Sequence, residues 1–411
     1  MQTPALPRRA ALLAAATLPF AGAAAAQAAR ADGGRIDRVL AGFVADGRVA
    51  GASALVWQDG RERYFGAKGF ADREAGRRME CDTLAHIYSM TKPVTGVALM
   101  QLWEQGRFGL DDPLARHLPE FADVRVLEKD AGGRLVRRPP ARPIVVRDIL
   151  RHTAGLSYGS GDAPADEAWR AADPFMASTN LTEFSQRVAS LPLVFDPGAQ
   201  WRYSAAVDIQ SAMIERLSGL PFETHVARNV FQPLGMANTG WRAAGGSTPA
   251  TIYSPAPGGG LAPQPRPAFR FASGGAGLIS TLDDYMRFAR MLLGEGSLEG
   301  ARILRPSTVR LMATDHLDPR ITERLFLPSK GSVGFGIDFA VRTAQPRSAD
   351  ENRGAVGEFF WDGYATTLFW VDPANRLAAV FFVQKTPFDG TLHRDFRAAV
   401  YGAGYLGPKG D

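Results

Sequence analysis

The chain has 411 residues, of which 45% are hydrophobic and 22% are charged, and its formal net charge is +5. This composition allows a large core and excludes a disordered chain, and the scatter of arginines among acidic residues predicts no nucleic-acid partner. Cys81 is the only cysteine, so an intrachain disulfide is excluded, and we expect it to be a packed residue rather than a nucleophile.

The N-terminus differs in character from the rest of the chain. Arg8 and Arg9 precede a run over 10–29 that is rich in alanine and free of charge. This pattern predicts an export signal over 1–29 and a periplasmic or secreted protein; the paired arginines favour the twin-arginine route, with Sec export left open. The alternative is a membrane anchor, but so weakly apolar a run does not favour a stable membrane span.

The first third of the chain predicts strands that lead to a buried helix. Apolar spacing predicts a helix over 35–46 and a hairpin of strands over 51–57 and 62–67. A helix is then predicted to begin at residue 89. A surface hairpin or loop over 123–143 and a short helix over 145–151 follow it. The segment 159–175 is interpreted as a loop.

The middle of the chain is predicted to be mostly helical, and its end returns to strands. Glycine and proline over 243–269 predict a long loop and not a folded unit. The other predicted helices cover 182–190, 204–218, 222–230, 282–293, 306–313 and 393–401, and the predicted late strands cover 334–341, 354–360, 366–371 and 377–384.

Strands at both ends with helices between them predict an α+β fold. We expect one antiparallel sheet built from 30–86 and 333–411, covered by terminal helices, with a mostly helical lobe inserted over 87–332. Ser89 then lies at the seam between the two lobes, where small-molecule sites usually occur.

Ser89 and Lys92 are the first candidates for chemistry. Their spacing places both side chains on one face at the start of a helix, where a lysine kept neutral by burial can accept the serine proton. The unpaired N–H groups of a first helical turn also favour an oxyanion. The pattern indicates acyl transfer, but a serine three residues before a lysine is a weak signal alone.

Two later stretches are the candidate companions of this pair. Tyr203 lies in a predicted loop before a helix, where its phenol can relay protons if a neighbouring charge such as Lys92 lowers its pKa; the alternative is a packing residue. Trp361-Asp362-Gly363-Tyr364 joins two predicted strands and has a glycine where the backbone approaches another group closely; the alternative is a simple hairpin turn.

Taken in order, these motifs resemble the serine β-lactamase and penicillin-binding-protein superfamily. The likeness spans about 36–403 and is greatest to the class C β-lactamase-like carboxylesterases called family VIII esterases. The motifs that carry it are Ser89-x-x-Lys92, Leu-Arg-His-Thr-Ala-Gly-Leu at 150–156, Tyr203-Ser204-Ala205, Gly-Gly-Ala-Gly-Leu at 274–278 and Trp361-Asp362-Gly363.

The resemblance implies a β-lactamase/transpeptidase-like fold and a serine hydrolase that cleaves small carboxylic esters through an acyl-enzyme. It implies that Ser89 is acylated, that Lys92 activates it and that Tyr203 moves protons. It further implies an oxyanion hole made by the backbone N–H groups of Ser89 and Tyr364. The resemblance implies substrate contacts at Trp361, Asp362 and Gly363 and no metal or organic cofactor; the oligomeric state stays open.

Two departures from the β-lactamase pattern bear on the substrate. Ala205 stands where β-lactamases have asparagine, and Trp361 stands where they have lysine. The missing asparagine removes a partner for the side-chain amide of the antibiotic, and the missing lysine removes one for its carboxylate. Each lost contact is worth roughly 1.5–3 kcal/mol, which argues against efficient β-lactam recognition. The tryptophan favours apolar acyl or alcohol groups instead. A β-lactamase or D-amino-acid peptidase or amidase remains the alternative function.

Three other functions are less consistent with the sequence. Gly155-Leu-Ser157-Tyr-Gly159 matches the Gly-x-Ser-x-Gly pattern of α/β-hydrolases, but it follows a predicted helix instead of a strand, so we interpret the match as accidental. The six histidines show no i, i+4 pair, which argues against a metal hydrolase. A non-catalytic penicillin-binding-like protein is the third, against which the retention of Ser89, Lys92 and Tyr203 speaks.

Overall fold

The structure is a computed structural model that describes residues 30–348, 350–402, 404–405 and 407. The predicted export signal over 1–29 lies outside the described residues. None of the helices in the described part of the chain has both the length and the apolar character that a membrane span requires.

The helices follow the predicted order, with short 3₁₀ turns between several of them, including those at Tyr88–Met90 and Leu327–Lys330 and a π turn at Ala227–Phe231. The α-helices are α1 (Gly33–Ala45), α2 (Thr91–Glu104), α3 (Val146–Leu150), α4 (Pro164–Ala172), α5 (Pro174–Ala177), α6 (Leu181–Ser190), α7 (Ala206–Ser218), α8 (Phe222–Val226), α9 (Gln232–Leu234), α10 (Leu282–Leu293), α11 (Pro306–Met312) and α12 (Gly390–Tyr401).

The strands lie mainly at the two ends of the chain. They are β1 (Gly51–Gln58), β2 (Arg61–Asp72), β3 (Arg77–Arg78), β4 (Ala85–His86), β5 (Val126–Lys129), β6 (Leu135–Arg138), β7 (Ile252–Pro255), β8 (Leu261–Gln264), β9 (Ile279–Ser280), β10 (Ser297–Leu298), β11 (Ala301–Arg302), β12 (Val333–Phe335), β13 (Ala340–Arg342), β14 (Phe359–Asp362), β15 (Leu368–Asp372) and β16 (Leu377–Val383).

One eight-stranded antiparallel sheet unites both ends of the chain. Its order is β12-β13-β14-β15-β16-β1-β2-β3, so the first long strand pairs with the last one. Every residue of β15 and β16 is buried. These two strands are apolar on both faces because helices cover the sheet on both sides.

Aromatic contacts show which helices cover each face. On one face, the rings of Phe43 on α1 and Phe396 on α12 lie 6.1 Å and 4.6 Å from that of Phe381. On the other face, the Tyr285 ring of α10 lies 5.1 Å from that of Phe369. Helix α10 falls within the range predicted for the helical lobe, yet it packs directly on the sheet.

Helix α2 is the central helix of the inserted region. Thr91 to Met100 are all buried, and the helix packs against α7 and α8. A helix that is apolar on every side belongs in the interior of a domain. A lysine and a serine at its start are therefore held rigidly.

Several predicted elements differ from the structure. The predicted strand 334–341 is two strands, β12 and β13, because Asp338 has a left-handed φ of 63° between them. The predicted strand 354–360 is reduced to β14. The loop predicted over 159–175 contains α4 and α5, each of which begins at a proline. The loop predicted over 243–269 contains the hairpin β7–β8.

Candidate active site

Ser89 and Lys92 face each other where α2 begins. Ser89 lies in the 3₁₀ turn Tyr88–Met90, and Lys92 is the second residue of α2. The Lys92 Nζ is 3.2 Å from the Ser89 Oγ and donates a hydrogen bond of 2.7 Å to the carbonyl oxygen of Gly275. A 3₁₀ turn aligns side chains three residues apart, which explains how this spacing brings the two groups together.

The environment of Lys92 favours its neutral form. The residue is only 1% exposed, and this burial lowers the pKa of its ammonium group to about 8. Three carboxylates, those of Asp208, Asp338 and Asp362, act in the opposite direction and raise the pKa. Burial prevails, so a substantial fraction of Lys92 is unprotonated just above neutral pH.

Tyr203 completes the predicted group. Its phenol lies within hydrogen-bond reach of the Ser89 side chain and accepts a bond of 3.2 Å from the indole N–H of Trp361. The Lys92 Nζ is 4.5 Å from the centre of the Tyr203 ring. Burial raises the pKa of Tyr203 above its ordinary value, which corrects the expectation that Lys92 would lower it. The phenol is therefore protonated at neutral pH.

The third motif comes close to the serine turn through Gly363. Trp361 and Asp362 end β14, and Gly363 follows them. A Cβ atom at Gly363 would lie 2.3 Å from the carbonyl oxygen of Ile87, so only glycine allows this approach. The Tyr364 ring lies 5.8 Å from that of Tyr88. The two predicted oxyanion donors thus lie on adjoining segments; their role stays a prediction.

Sequence reasoning missed Asp208, which binds the backbone N–H of Gly275, the residue whose carbonyl oxygen accepts from Lys92. The fully buried Asp208 accepts hydrogen bonds on Oδ1 from the Ser273 hydroxyl, at 2.6 Å, and from the Gly275 N–H, at 3.1 Å. The Gly275 carbonyl in turn accepts the bond from Lys92. The available signal was an acidic residue in the largely apolar first half of α7, because acidic side chains are seldom fully buried without a partner.

Asp338 and Tyr158 were also missed. Asp338 is fully buried, accepts a bond of 2.9 Å from the Gln210 amide, and has its pKa raised well above the ordinary value by burial. The Tyr158 ring is 5.7 Å from the Lys92 Nζ and from the Tyr203 ring. Both residues come from segments whose approach to Lys92 depends on long-range folding.

Aromatic side chains form the walls beside Tyr203. The Tyr203 ring lies 5.4 Å from that of Trp361 and 5.5 Å from that of Phe326. On the other side, Tyr158 and Phe175 help to line a cavity of about 250 Å³. The Tyr203 phenol, which reaches the Ser89 side chain, is therefore surrounded mainly by aromatic rings.

The rival serine has a structural role in this fold. Ser157 is fully buried, donates a hydrogen bond to the carboxylate of Asp166 and accepts one of 2.9 Å from the N–H of Gly159. It is part of a turn before α4 and does not follow a strand, as the α/β-hydrolase motif requires. Across the described ranges, no group of three or more His, Cys, Asp or Glu residues is arranged to hold a metal ion.

Comparison with known proteins identifies the family. The family model described as "Beta-lactamase" matches residues 36–402. Esterase EstB from Burkholderia gladioli is 36% identical over 279 residues, which cover 62% of this chain and 68% of that protein. Protein Rv1367c from Mycobacterium tuberculosis is 37% identical over 369 residues, which cover 87% of this chain and 90% of that protein.

Solved structures give the same result for the fold. The structure of EstCE1, described as a hydrolase with promiscuous acyltransferase activity, has a TM-score of 0.75 and 28% identity, covering 90% of this chain and 98% of that one. Unliganded simvastatin synthase (LovD) from Aspergillus terreus has a TM-score of 0.76 and 25% identity, covering 89% and 97%. The predicted fold is confirmed, and the chain belongs to the β-lactamase family as a family VIII esterase-like serine hydrolase of that superfamily.

Proposed function

We propose that this protein cleaves small carboxylic esters through a covalent acyl-enzyme on Ser89. The observation that carries the proposal is the contact of 3.2 Å between the Ser89 hydroxyl and the Lys92 amine, whose pKa burial lowers to about 8. A serine needs such a base to become a nucleophile at neutral pH. The esterases among the relatives support the choice of esters.

In the acylation step, neutral Lys92 accepts the Ser89 proton while the serine oxygen bonds to the ester carbonyl carbon. The negative charge on the carbonyl oxygen is stabilised by the N–H groups of Ser89 and Tyr364. The carbon–alkoxide bond then breaks, and Tyr203 donates its phenolic proton to the departing alkoxide. The proton held by Lys92 returns to Tyr203, which restores both groups.

In the deacylation step, a water molecule takes the place of the departed alcohol. Its proton passes to the Lys92 and Tyr203 pair as its oxygen bonds to the acyl carbon. The bond to Ser89 breaks, and the serine oxygen regains a proton from the pair. The products are the alcohol and the carboxylic acid, and the protein returns to its starting state.

The walls of the site favour apolar substrates. The rings of Trp361 and Phe326 lie 5.4 Å and 5.5 Å from that of Tyr203, and the Tyr158 ring lies 5.7 Å from it. We therefore propose uncharged esters with short or ring-bearing acyl groups as substrates.

Transfer of the acyl group to an alcohol is a second candidate. Several relatives are named as acyltransferases, among them monacolin J acid methylbutanoyltransferase from Aspergillus terreus at 27% identity. The apolar walls support this candidate because they favour an alcohol over water in the space next to the acyl group. A β-lactamase or D-amino-acid peptidase activity, or a non-catalytic role, remains an alternative.

Rates on three substrate classes test the proposal. The purified protein is assayed with a p-nitrophenyl ester series, a chromogenic cephalosporin and a D-Ala-D-Ala peptide, alone and with added butanol as acyl acceptor. We expect the highest kcat/KM on esters, with at least about 10³-fold loss in Ser89→Ala and little loss in the control Ser157→Ala. Cephalosporin or peptide turnover above ester turnover would contradict the proposal, and butyl ester formation would favour acyl transfer.

A further inference from the structure

Lys330 is a second buried lysine close to the proposed active site. It ends the 3₁₀ turn Leu327–Lys330, is only 8% exposed, and its ammonium forms an ion pair with the carboxylate of Asp362. Its Nζ lies 5.0 Å from the ring centre of Trp361, 5.5 Å from that of Phe326 and 5.1 Å from that of Phe388. At these distances the rings attract the ammonium group through cation–π contacts.

The carboxylate that pairs with Lys330 belongs to Asp362, which follows Trp361 at the end of β14. Strand β13 pairs with β14 only at Phe359 and Phe360, so Trp361 and Asp362 project beyond it. Trp361 donates its N–H to the phenol of Tyr203, and the next residue carries a negative charge. The Asp362 carboxylate raises the pKa values of both Tyr203 and Lys92.

We propose that Lys330 is a positioning residue of the catalytic site, which neutralises Asp362 beside the Lys92 and Tyr203 pair and holds Trp361 against Tyr203. The inference rests on the proposed function, because it assumes that Lys92 and Tyr203 transfer protons. It assigns a task to a loop residue that is more than 200 positions away from Ser89 in the chain.

Other titratable groups lie near the Lys92 and Tyr203 pair and near the Lys330 and Asp362 pair. Lys92 and Tyr203 are also faced by Asp208 and Asp338, and by the uncharged side chains of Tyr158 and His152. A cavity of about 490 Å³ next to Lys330 and Asp362 is lined by further titratable side chains, namely Arg347, Asp350, Glu351, His393 and Arg394.

The charges that line this cavity do not replace Lys330. Arg347 pairs with Glu351 at 3.1 Å, and Arg394 pairs with Asp395 at 3.1 Å. Burial lowers the pKa of His393 to about 4, so it is neutral at working pH. Within the described residues, Lys330 is therefore the cation that pairs with Asp362.

A double-mutant cycle of Lys330 and Asp362 tests the inference through the pH profile of ester hydrolysis. In Lys330→Met, the free Asp362 charge keeps Lys92 protonated to higher pH, so the rising limb of kcat/KM moves up by about one pH unit and the rate at pH 7 falls about tenfold. Asp362→Asn keeps the shape of the side chain but removes its charge, so the limb moves to lower pH. The double variant has no unpaired charge and returns the limb close to its wild-type position.

Two further measurements separate this role from a merely structural one. Lys330→Arg retains the charge and is expected to retain the wild-type profile. Melting temperatures report folding independently of the pH limb. The inference is overturned if Lys330→Met melts lower but keeps the wild-type limb, or if Asp362→Asn leaves the limb unmoved. Ser89-dependent ester hydrolysis by the wild type is the control, since its absence would refute the proposed function instead.

Discussion

Lys92 combines the two properties that a proton acceptor needs: it touches the Ser89 hydroxyl, and its amine loses a proton near neutral pH. Because burial lowers its pKa to about 8, we expect kcat/KM for an ester to rise with pH and to level off above about 8. Lys92→Arg keeps the charge permanently and should lower kcat by about 10²–10⁴-fold and abolish this limb. Lys129→Arg, on the surface, is the control; a limb that persists in Lys92→Arg would contradict the assignment.

Asp208 provides a second test of the same environment. Asp208→Asn retains an oxygen that accepts from Ser273 and Gly275 but removes a charge that raises the pKa of Lys92. The limb should therefore move to lower pH, by less than about one pH unit. Asp208→Ala also releases the Gly275 carbonyl, so kcat should fall as well. A limb that keeps its wild-type position in Asp208→Asn, or that moves to higher pH, would contradict this effect of the carboxylate.

Among the secondary-structure elements, the proposed oxyanion hole depends mainly on the close approach of β14 to the turn that carries Ser89. In Gly363→Ala, the new Cβ would meet the Ile87 carbonyl at 2.3 Å and the Thr367 hydroxyl at 2.2 Å, which moves the turn that carries the Tyr364 N–H. We expect about 10-fold or greater loss of kcat, as for a weakened oxyanion donor. Gly258→Ala, in open space, is the control. Equal activity of the two variants would argue against the oxyanion role of Tyr364.

The sequence predicted elements well where local patterns decide them. Helices α6, α7 and α10 and strands β15 and β16 lie within about two residues of their predicted bounds, because apolar periodicity and turn residues mark them. The break between β12 and β13 was missed because no glycine marks it: the left-handed residue is Asp338, whose carboxylate accepts a bond from Gln210, 128 positions away. The hairpin β7–β8 was missed because its glycines and prolines obscured a short pairing that includes the buried Tyr253.

The candidate site was predictable in its motifs and not in its surroundings. The structure brings Ser89, Lys92 and Tyr203 together. All three could be recognised in the sequence because they belong to motifs near the starts of α2 and α7. Asp208 and Lys330 were not found, and the bond from Lys92 to Gly275 of the 274–278 motif was not predicted, because each contact joins residues more than 30 positions apart. Hydrogen bonds at that separation leave no local pattern in the sequence.

At the scale of the whole molecule, a buried ion cluster lies on the face of the sheet opposite to that of Trp361. On the α12 face, the fully buried carboxylate of Glu358 binds Arg397 at 2.8 Å and Arg342 at 3.4 Å and accepts from the Tyr401 phenol. Trp361 and the turn that carries Ser89 lie on the other face, the one that α10 covers. The ion cluster should therefore affect folding without altering the chemistry.

Glu358→Gln tests this separation. Breaking a buried ion pair is expected to lower the free energy of unfolding by about 3–5 kcal/mol, measured by urea denaturation. The kcat of the folded fraction should stay at its wild-type value. Glu299→Gln, which removes an exposed partner of Arg287, is the control and should cost less than about 1 kcal/mol. A large loss of kcat in folded Glu358→Gln would mean that the two faces are coupled.

The central claim is that Ser89 is the residue that becomes acylated. Mass spectrometry of peptides from protein treated with a fluorophosphonate tests this claim directly, because the reagent forms a stable adduct only with an activated serine. We predict a single adduct on the peptide that contains Ser89, its loss in Ser89→Ala and its retention in Ser157→Ala. An adduct on another residue, or equal labelling of Ser89→Ala, would contradict the account.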